Sequence, residues 1–235
     1  MPASIKICNL TKTFDCTTAV KEINFTAFPS QIIALLGPNG AGKSTLMNMI
    51  AGFLKPSFGT INILGYDNAE HPLQAKKNIG FLPEGAPLYS DMKVKNFLDY
   101  IAKLKSCNHA EVTRAMNLAN IEDVADQKIE TLSKGYKRRV GFAVSIIGDP
   151  EILLLDEPTD GLDPNQKEHM LGLIEDMSKN KTIIISTHLL DEAQSIANRI
   201  LIMDKGEIKA DGDIEAILKQ TRTKSLENAF IKLTR

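Results

Sequence analysis

The chain has 235 residues, with 28 Lys plus Arg against 29 Asp plus Glu, for a formal net charge of -1. That balance leaves no overall positive field to hold nucleic acid nonspecifically. The three cysteines, Cys8, Cys16 and Cys107, are odd in number and unevenly spaced, which fits neither a disulfide framework nor a zinc site and suits reduced, intracellular thiols.

The N-terminus, Met1-Pro-Ala-Ser-Ile-Lys6, lacks a basic start followed by an apolar run, so no signal peptide is expected and the protein should stay in the cytoplasm. Alternation of apolar and polar residues over Ser4 to Cys8, and again at Ile23, Phe25 and Ala27, predicts half-exposed strands of an antiparallel sheet. Ile32 to Leu36 is different: an unbroken apolar run, as are Ile152 to Leu155 and Thr182 to Ser186. Such runs belong to a parallel sheet covered on both faces. They are strand-sized, far below the ~20 residues a membrane-spanning helix needs, so any membrane role must pass through a partner.

The first buried run leads directly into Gly37-Pro-Asn-Gly-Ala-Gly-Lys-Ser-Thr45, and Leu46 to Ile50 continues as a predicted helix. This is Gly-x-x-x-x-Gly-Lys-Ser/Thr in the strand-loop-helix context that a phosphate loop requires. Gly37, Gly40 and Gly42 let the loop turn its backbone N–H groups, those of Asn39 and Ala41 included, inward around phosphates, and the helix N-terminus adds positive dipole. Lys43 can reach the β and γ phosphates, Ser44 offers a hydroxyl to Mg²⁺, and Thr45 can bond a phosphate oxygen.

Between Leu88 and Asp149 strand signals vanish, while Val94 to Leu104 and Ala110 to Ala119 have helical spacing. The stretch reads as a helical insertion, closed by Asp149-Pro150, where the residue before proline is pushed out of helical geometry. The run Ile152 to Leu155 then delivers Asp156 and Glu157 at a strand's carboxyl end, where open α/β sheets bind ligands. Asp156 would organise Mg²⁺ and its waters. Glu157, one residue on, can orient the attacking water or take its proton, which implies hydrolysis rather than binding alone. His188 follows the third buried run in the same way. His71, His109 and His169 fall in predicted loops or helices and read as solvated. The tail from Thr221 to Arg235 spaces Leu226, Phe230 and Leu233 for one small amphipathic helix.

Further motifs, in order across nearly the whole chain, resemble the ATP-binding cassette family of transporter ATPases. Leu132-Ser-Lys-Gly-Tyr136 is similar to that family's signature, normally Leu-Ser-Gly-Gly-Gln, with Lys134 and Tyr136 as departures. The resemblance implies that Ser133 and Gly135 meet the γ-phosphate of ATP held by a second subunit, so that two nucleotides are sandwiched in a head-to-tail homodimer. Asp160-Gly-Leu-Asp163 resembles the family's D-loop, with Asp163 the closer match, and His188 resembles its switch histidine, which bonds the γ-phosphate. Phe14 occupies the place of the aromatic residue that stacks on adenine, although a core aromatic on an N-terminal strand would give the same pattern. Ile79-Gly-Phe-Leu-Pro-Glu84 ends on Glu84 where the family has a Gln that ligates Mg²⁺; a carboxylate can still take that role while adding negative charge beside phosphate.

These features, with Ser225-Leu-Glu-Asn-Ala-Phe230, look most like the ATPase subunits of ABC-2-type bacterial exporters. The implied fold is α/β: a RecA-like phosphate-loop NTPase core with a mostly parallel sheet, an N-terminal antiparallel β-subdomain and an inserted α-helical subdomain. One domain, 1–235, is expected, with core and β-subdomain in 1–87 and 150–235 and the helical subdomain in 88–149. The implied cofactors are ATP and Mg²⁺. The implied partner is a membrane-spanning permease met through Gly85 to Met92, with the ATPase peripheral on the cytoplasmic face of the membrane and no nucleic acid bound. The rival class, a soluble family relative acting on ribosomes or DNA, typically carries two cassettes, long coiled coils or zinc modules, and the chain has one phosphate loop and no Cys-x-x-Cys pair.

Overall fold

Alternation at the N-terminus becomes a long antiparallel hairpin in the computed structural model, which describes residues 2–85 and 87–235. Strand β1 (Ile5–Phe14) pairs with β2 (Thr17–Ala27) from Ile5 opposite Ala27 to Phe14 opposite Thr17. Its inward face, with Ile5, Ile7, Leu10, Val20, Ile23 and Phe25, is buried, each side chain worth about 1.5–3 kcal/mol of apolar transfer. The chain continues through β3 (Ile32–Leu36), α1 (Lys43–Ile50), β4 (Phe58–Ile63), β5 (Tyr66–Asp67), α2 (Pro72–Lys77) and β6 (Ile79–Leu82). Strands β4 and β5 complete a four-stranded antiparallel sheet in the order β2-β1-β4-β5.

The inserted segment holds α3 (Val94–Leu104), α4 (His109–Ala119), two short 3₁₀ turns at Glu122–Val124 and Ile129–Thr131, and α5 (Lys134–Ile146). Apolar side chains such as Phe97, Leu98, Val112 and Phe142 form its interior and merge with Leu153 and Leu155 of the main sheet. The chain then returns as β7 (Ile152–Asp156), α6 (Pro164–Ser178), β8 (Thr182–Ser186), α7 (Leu190–Ile196), β9 (Arg199–Asp204), β10 (Glu207–Gly212), α8 (Ile214–Thr221) and α9 (Leu226–Leu233).

The second sheet has the order β10-β9-β3-β8-β7-β6, parallel except for β10, which runs antiparallel to β9. The unbroken apolar runs are its buried centre: every residue of β3, β7 and β8 is buried. Alternation survives as a choice between two cores. On β3, Ile33 and Leu35 pack with the antiparallel sheet and α1, whereas Ala34 and Leu36 pack with the C-terminal helices. Leu226 anchors α9 in that C-terminal cluster, with Phe230 and Leu233 against it. Four neighbouring parallel strands, β3, β8, β7 and β6, therefore end at one edge, and each hands its following loop to the same place. No helix among the described residues is long and apolar enough to cross a membrane.

Candidate active site

The loop after β3 can take its path only with glycine at its two ends. A Cβ on Gly37 would lie 2.5 Å from the Met203 carbonyl oxygen, and one on Gly42 2.3 Å from that of Ala19, where φ is also +100°. Helix α1 starts at Lys43 and has no side-chain cap, so its first-turn amides keep their hydrogens for a ligand. A cavity of about 430 Å³ opens over this helix end, lined by residues 39–45, by Ala19, and by Glu84, Asp156 and Glu157.

Lys43 is buried and its Nζ donates to the carbonyls of Gly37 at 2.7 Å and Pro38 at 3.2 Å. Burial pushes this ammonium below the ordinary lysine range, and the carboxylates of Glu157, Asp156 and Glu84 pull it back up. The cation thus faces three anions across the cavity, a charge pattern that a phosphate chain with its counter-ion would complete. Asp156 ends β7 and is 2% exposed. Glu157 follows in a left-handed backbone conformation, φ +51°, which is uncommon for a side chain of its size and typical of strained functional positions. Its amide donates to the Ser186 carbonyl at 2.8 Å, tying the loop after β7 to the end of β8.

From β8 comes His188, whose Nδ1 lies 3.0 Å from Glu157 Oε1. Burial raises the Glu157 carboxyl above the ordinary range, the His188 contact holds it down, and Asp156 adds to the rise while Lys43 opposes it. A carboxyl poised this way suits proton acceptance better than a solvated one. Ser44, Asp156 and Glu84 bring oxygen donors into the same cavity. No cluster of three His, Cys, Asp or Glu side chains able to hold a metal occurs among the described residues. That donor set fits Mg²⁺, which binds through one or two carboxylates plus phosphates and water rather than in an all-protein cage.

Other expected residues do not line the cavity. Phe14 is 45% exposed, with Lys12 Nζ 5.0 Å from its ring centre, so it is no core residue; it sits at the turn of the hairpin whose second strand supplies Ala19. Ser133 is the N-cap of α5, its Oγ accepting from the Tyr136 amide at 3.3 Å. Gly135 is packed onto the D-loop segment: a Cβ there would lie 2.9 Å from the Gly161 carbonyl oxygen. Asp163 caps α6 by accepting from Gln166 N at 3.0 Å. Lys134, in place of the family's glycine, pairs with Asp160 at 2.8 Å, and Tyr136 donates its hydroxyl to Asp123. Of the remaining histidines, His71, His109 and His169 are exposed.

Two contributors are absent from the sequence reading. Ala19 arrives from the antiparallel sheet with no local signal. Arg138, 6% exposed on α5, donates to the Pro83 carbonyl at 2.8 Å, just before Glu84. Its signal is the basic run Lys137-Arg138-Arg139 directly after the signature.

The chain is similar to known proteins over most of its length. A family model described as ABC transporter matches residues 20–160. The ABC transporter ATP-binding protein NatA of Bacillus subtilis is 33% identical over 92% of this chain and 91% of its own. The Nod factor export ATP-binding protein I of Burkholderia lata is 33% identical over 92% of this chain and 73% of its own. ABC transporter ced-7 of Caenorhabditis elegans is 35% identical over 89% of this chain, which spans only 13% of that larger protein. A solved structure of the ATP-binding subunit of an ABC transporter superposes with a TM-score of 0.91 at 27% identity, covering 98% of this chain and 99% of the other.

Proposed function

The chain belongs to the ABC transporter family as an ATP-binding, ATP-hydrolysing subunit, and from that premise we propose that it powers export through a separate membrane-spanning permease, working as a head-to-tail homodimer on the cytoplasmic side. The observation that carries the reading is convergence: Lys43, Asp156 and Glu157 line one cavity, and His188 is held on Glu157. The amides of residues 39–45 and Lys43 cradle the phosphates. Ser44, Asp156 and Glu84 would hold Mg²⁺, which would supply positive charge to offset that of the phosphates. Glu157 orients a water and takes its proton as the water oxygen bonds to the γ-phosphorus and the bond to the bridging oxygen breaks, with His188 on the γ-phosphate side. Positioning and fixed charge do most of the catalytic work in such a transfer.

The homodimer rests on the signature resemblance: Ser133, exposed at the start of α5, and Gly135, two residues on, do not line the phosphate cavity of their own chain, and we assign them to the nucleotide of a second copy, with the exposed ring of Phe14 offered to the base. Segment 88–149 is the unit that carries this surface. Export is favoured by the Nod factor relative, named for that direction. An apolar cleft of about 570 Å³, lined by Phe53, Phe81, Leu82 and Leu88 among others, adjoins the nucleotide cavity, and Glu84 lines both. The permease contact is placed there and along Gly85 to Met92, of which Ala86 lies outside the described residues.

Purifying the protein from solubilised membranes and identifying what accompanies it tests this reading. A multi-span membrane protein is expected; ribosomes or DNA without one would overturn it.

A further inference from the structure

Glu192 is 3% exposed in the first turn of α7, and a buried carboxylate is costly unless donors surround it. Three do. Its Oε1 accepts from Thr159 Oγ1 at 2.7 Å and from Lys167 Nζ at 2.7 Å, and its Oε2 accepts from Thr187 Oγ1 at 3.0 Å. The Thr187 hydroxyl in turn accepts from Leu189 N at 3.1 Å, so both of its capacities are used.

The two hydroxyl donors lie on separate loops. Thr159 stands two residues beyond Glu157 in the loop after β7, and Thr187 stands directly before His188 in the loop after β8. One oxygen of a single rigid carboxylate holds the first loop and the other oxygen holds the second. Lys167 extends the tie to α6, which follows Asp160 to Asp163. Simple neutralisation of Lys167 would not require this arrangement, because its side chain is 34% exposed. It is the two buried hydroxyls that converge on the carboxylate, although most side-chain hydrogen bonds go to backbone or water. The pair they bracket is Glu157 and His188, 3.0 Å apart.

We infer that Glu192 is a positioning residue for ATP hydrolysis: it sets the separation of the loops that carry Glu157 and His188 without touching nucleotide itself. The inference rests on the catalytic reading of that pair. Misplacement of reacting groups by about 1 Å can cost on the order of 100-fold in rate. Replacing Glu192 therefore acts on kcat and spares ground-state binding.

The test is steady-state ATP hydrolysis by the full chain. Glu192→Ala should lower kcat by about 10- to 100-fold while the KM for ATP changes by less than about 3-fold. Thr187→Val should lower kcat by a smaller factor, and the Glu192→Ala/Thr187→Val double variant should be no slower than Glu192→Ala alone, as expected for one shared network. If Glu192→Ala does not fold, Glu192→Gln decides, since it keeps the volume but can accept from only one of the two hydroxyls; several-fold loss of kcat at unchanged KM is expected. Wild-type kcat in the folded variants, or a KM that rises in step with the loss of kcat, would overturn the inference. Glu157→Gln runs alongside: if it turns over normally, the catalytic reading itself has failed, whereas an inert Glu157→Gln beside fully active Glu192 variants removes only the positioning role.

Discussion

The carboxyl edge of the parallel sheet and the surface formed by the start of α5 with the D-loop differ in what they complete. At the sheet edge the loops after β3, β6 and β7 each contribute to one cavity, and β8 adds His188 to Glu157. At the signature surface every named residue serves its own neighbourhood: Ser133 and Asp163 cap the helices they precede, Gly135 admits the Gly161 carbonyl, and Lys134 pairs with Asp160. The first region encloses a cavity; among the described residues, the second does not line it. Convergence distinguishes the first, and the proposed dimer assigns the second the role of completing a partner's site.

The largest separation between the regions should come from Glu157→Gln. It removes the proton acceptor while preserving shape, and turnover should fall about 10²- to 10⁴-fold with ATP binding retained, as read by phosphate release and equilibrium binding. Lys43→Ala should instead weaken nucleotide binding by on the order of 10- to 100-fold, the worth of hydrogen bonds to a charged group, measured by titration calorimetry. On the other surface, Gly135→Ala should destabilise the fold by about 1–3 kcal/mol in denaturant unfolding, because its Cβ would crowd the Gly161 carbonyl, and should leave nucleotide affinity of the isolated chain unchanged. If Gly135→Ala weakened binding in the monomer, the division between the two regions would dissolve. The smallest effect is expected for Glu84→Gln: this residue is exposed, and the change should alter ATP turnover by no more than about 3-fold, since an amide oxygen can replace one carboxylate oxygen at a hydrated Mg²⁺.

What was legible in the sequence divides along similar lines. Local patterns read through: the alternation of β1 and β2, the unbroken runs of β3, β7 and β8, and the strand-loop-helix frame of Gly37 to Thr45 all depend on neighbours within a few residues. Even here the helix begins at Lys43, earlier than the apolar spacing from Leu46 implies, because its first turn carries the polar side chains of Lys43, Ser44 and Thr45 and is closed by Leu46 N donating to the Gly42 carbonyl at 2.9 Å. The antiparallel pair β9 and β10 and helix α8 carry no motif that announces them. Contacts between distant residues were invisible. Ala19 reaches the phosphate loop from another sheet, and Glu157 meets His188 across 31 positions. Tertiary packing makes those contacts, and no periodicity announces them.

Complementation between two inactive variants tests the shared site most directly. In a head-to-tail dimer, one subunit with Lys43→Ala and the other with Ser133→Arg place both lesions in the same composite site and leave the second site intact. Mixing the two purified variants should restore ATP hydrolysis far above the sum of their separate rates, toward about a quarter of wild type if half the dimers are mixed and each has one working site. A mixture no more active than its components would contradict the account.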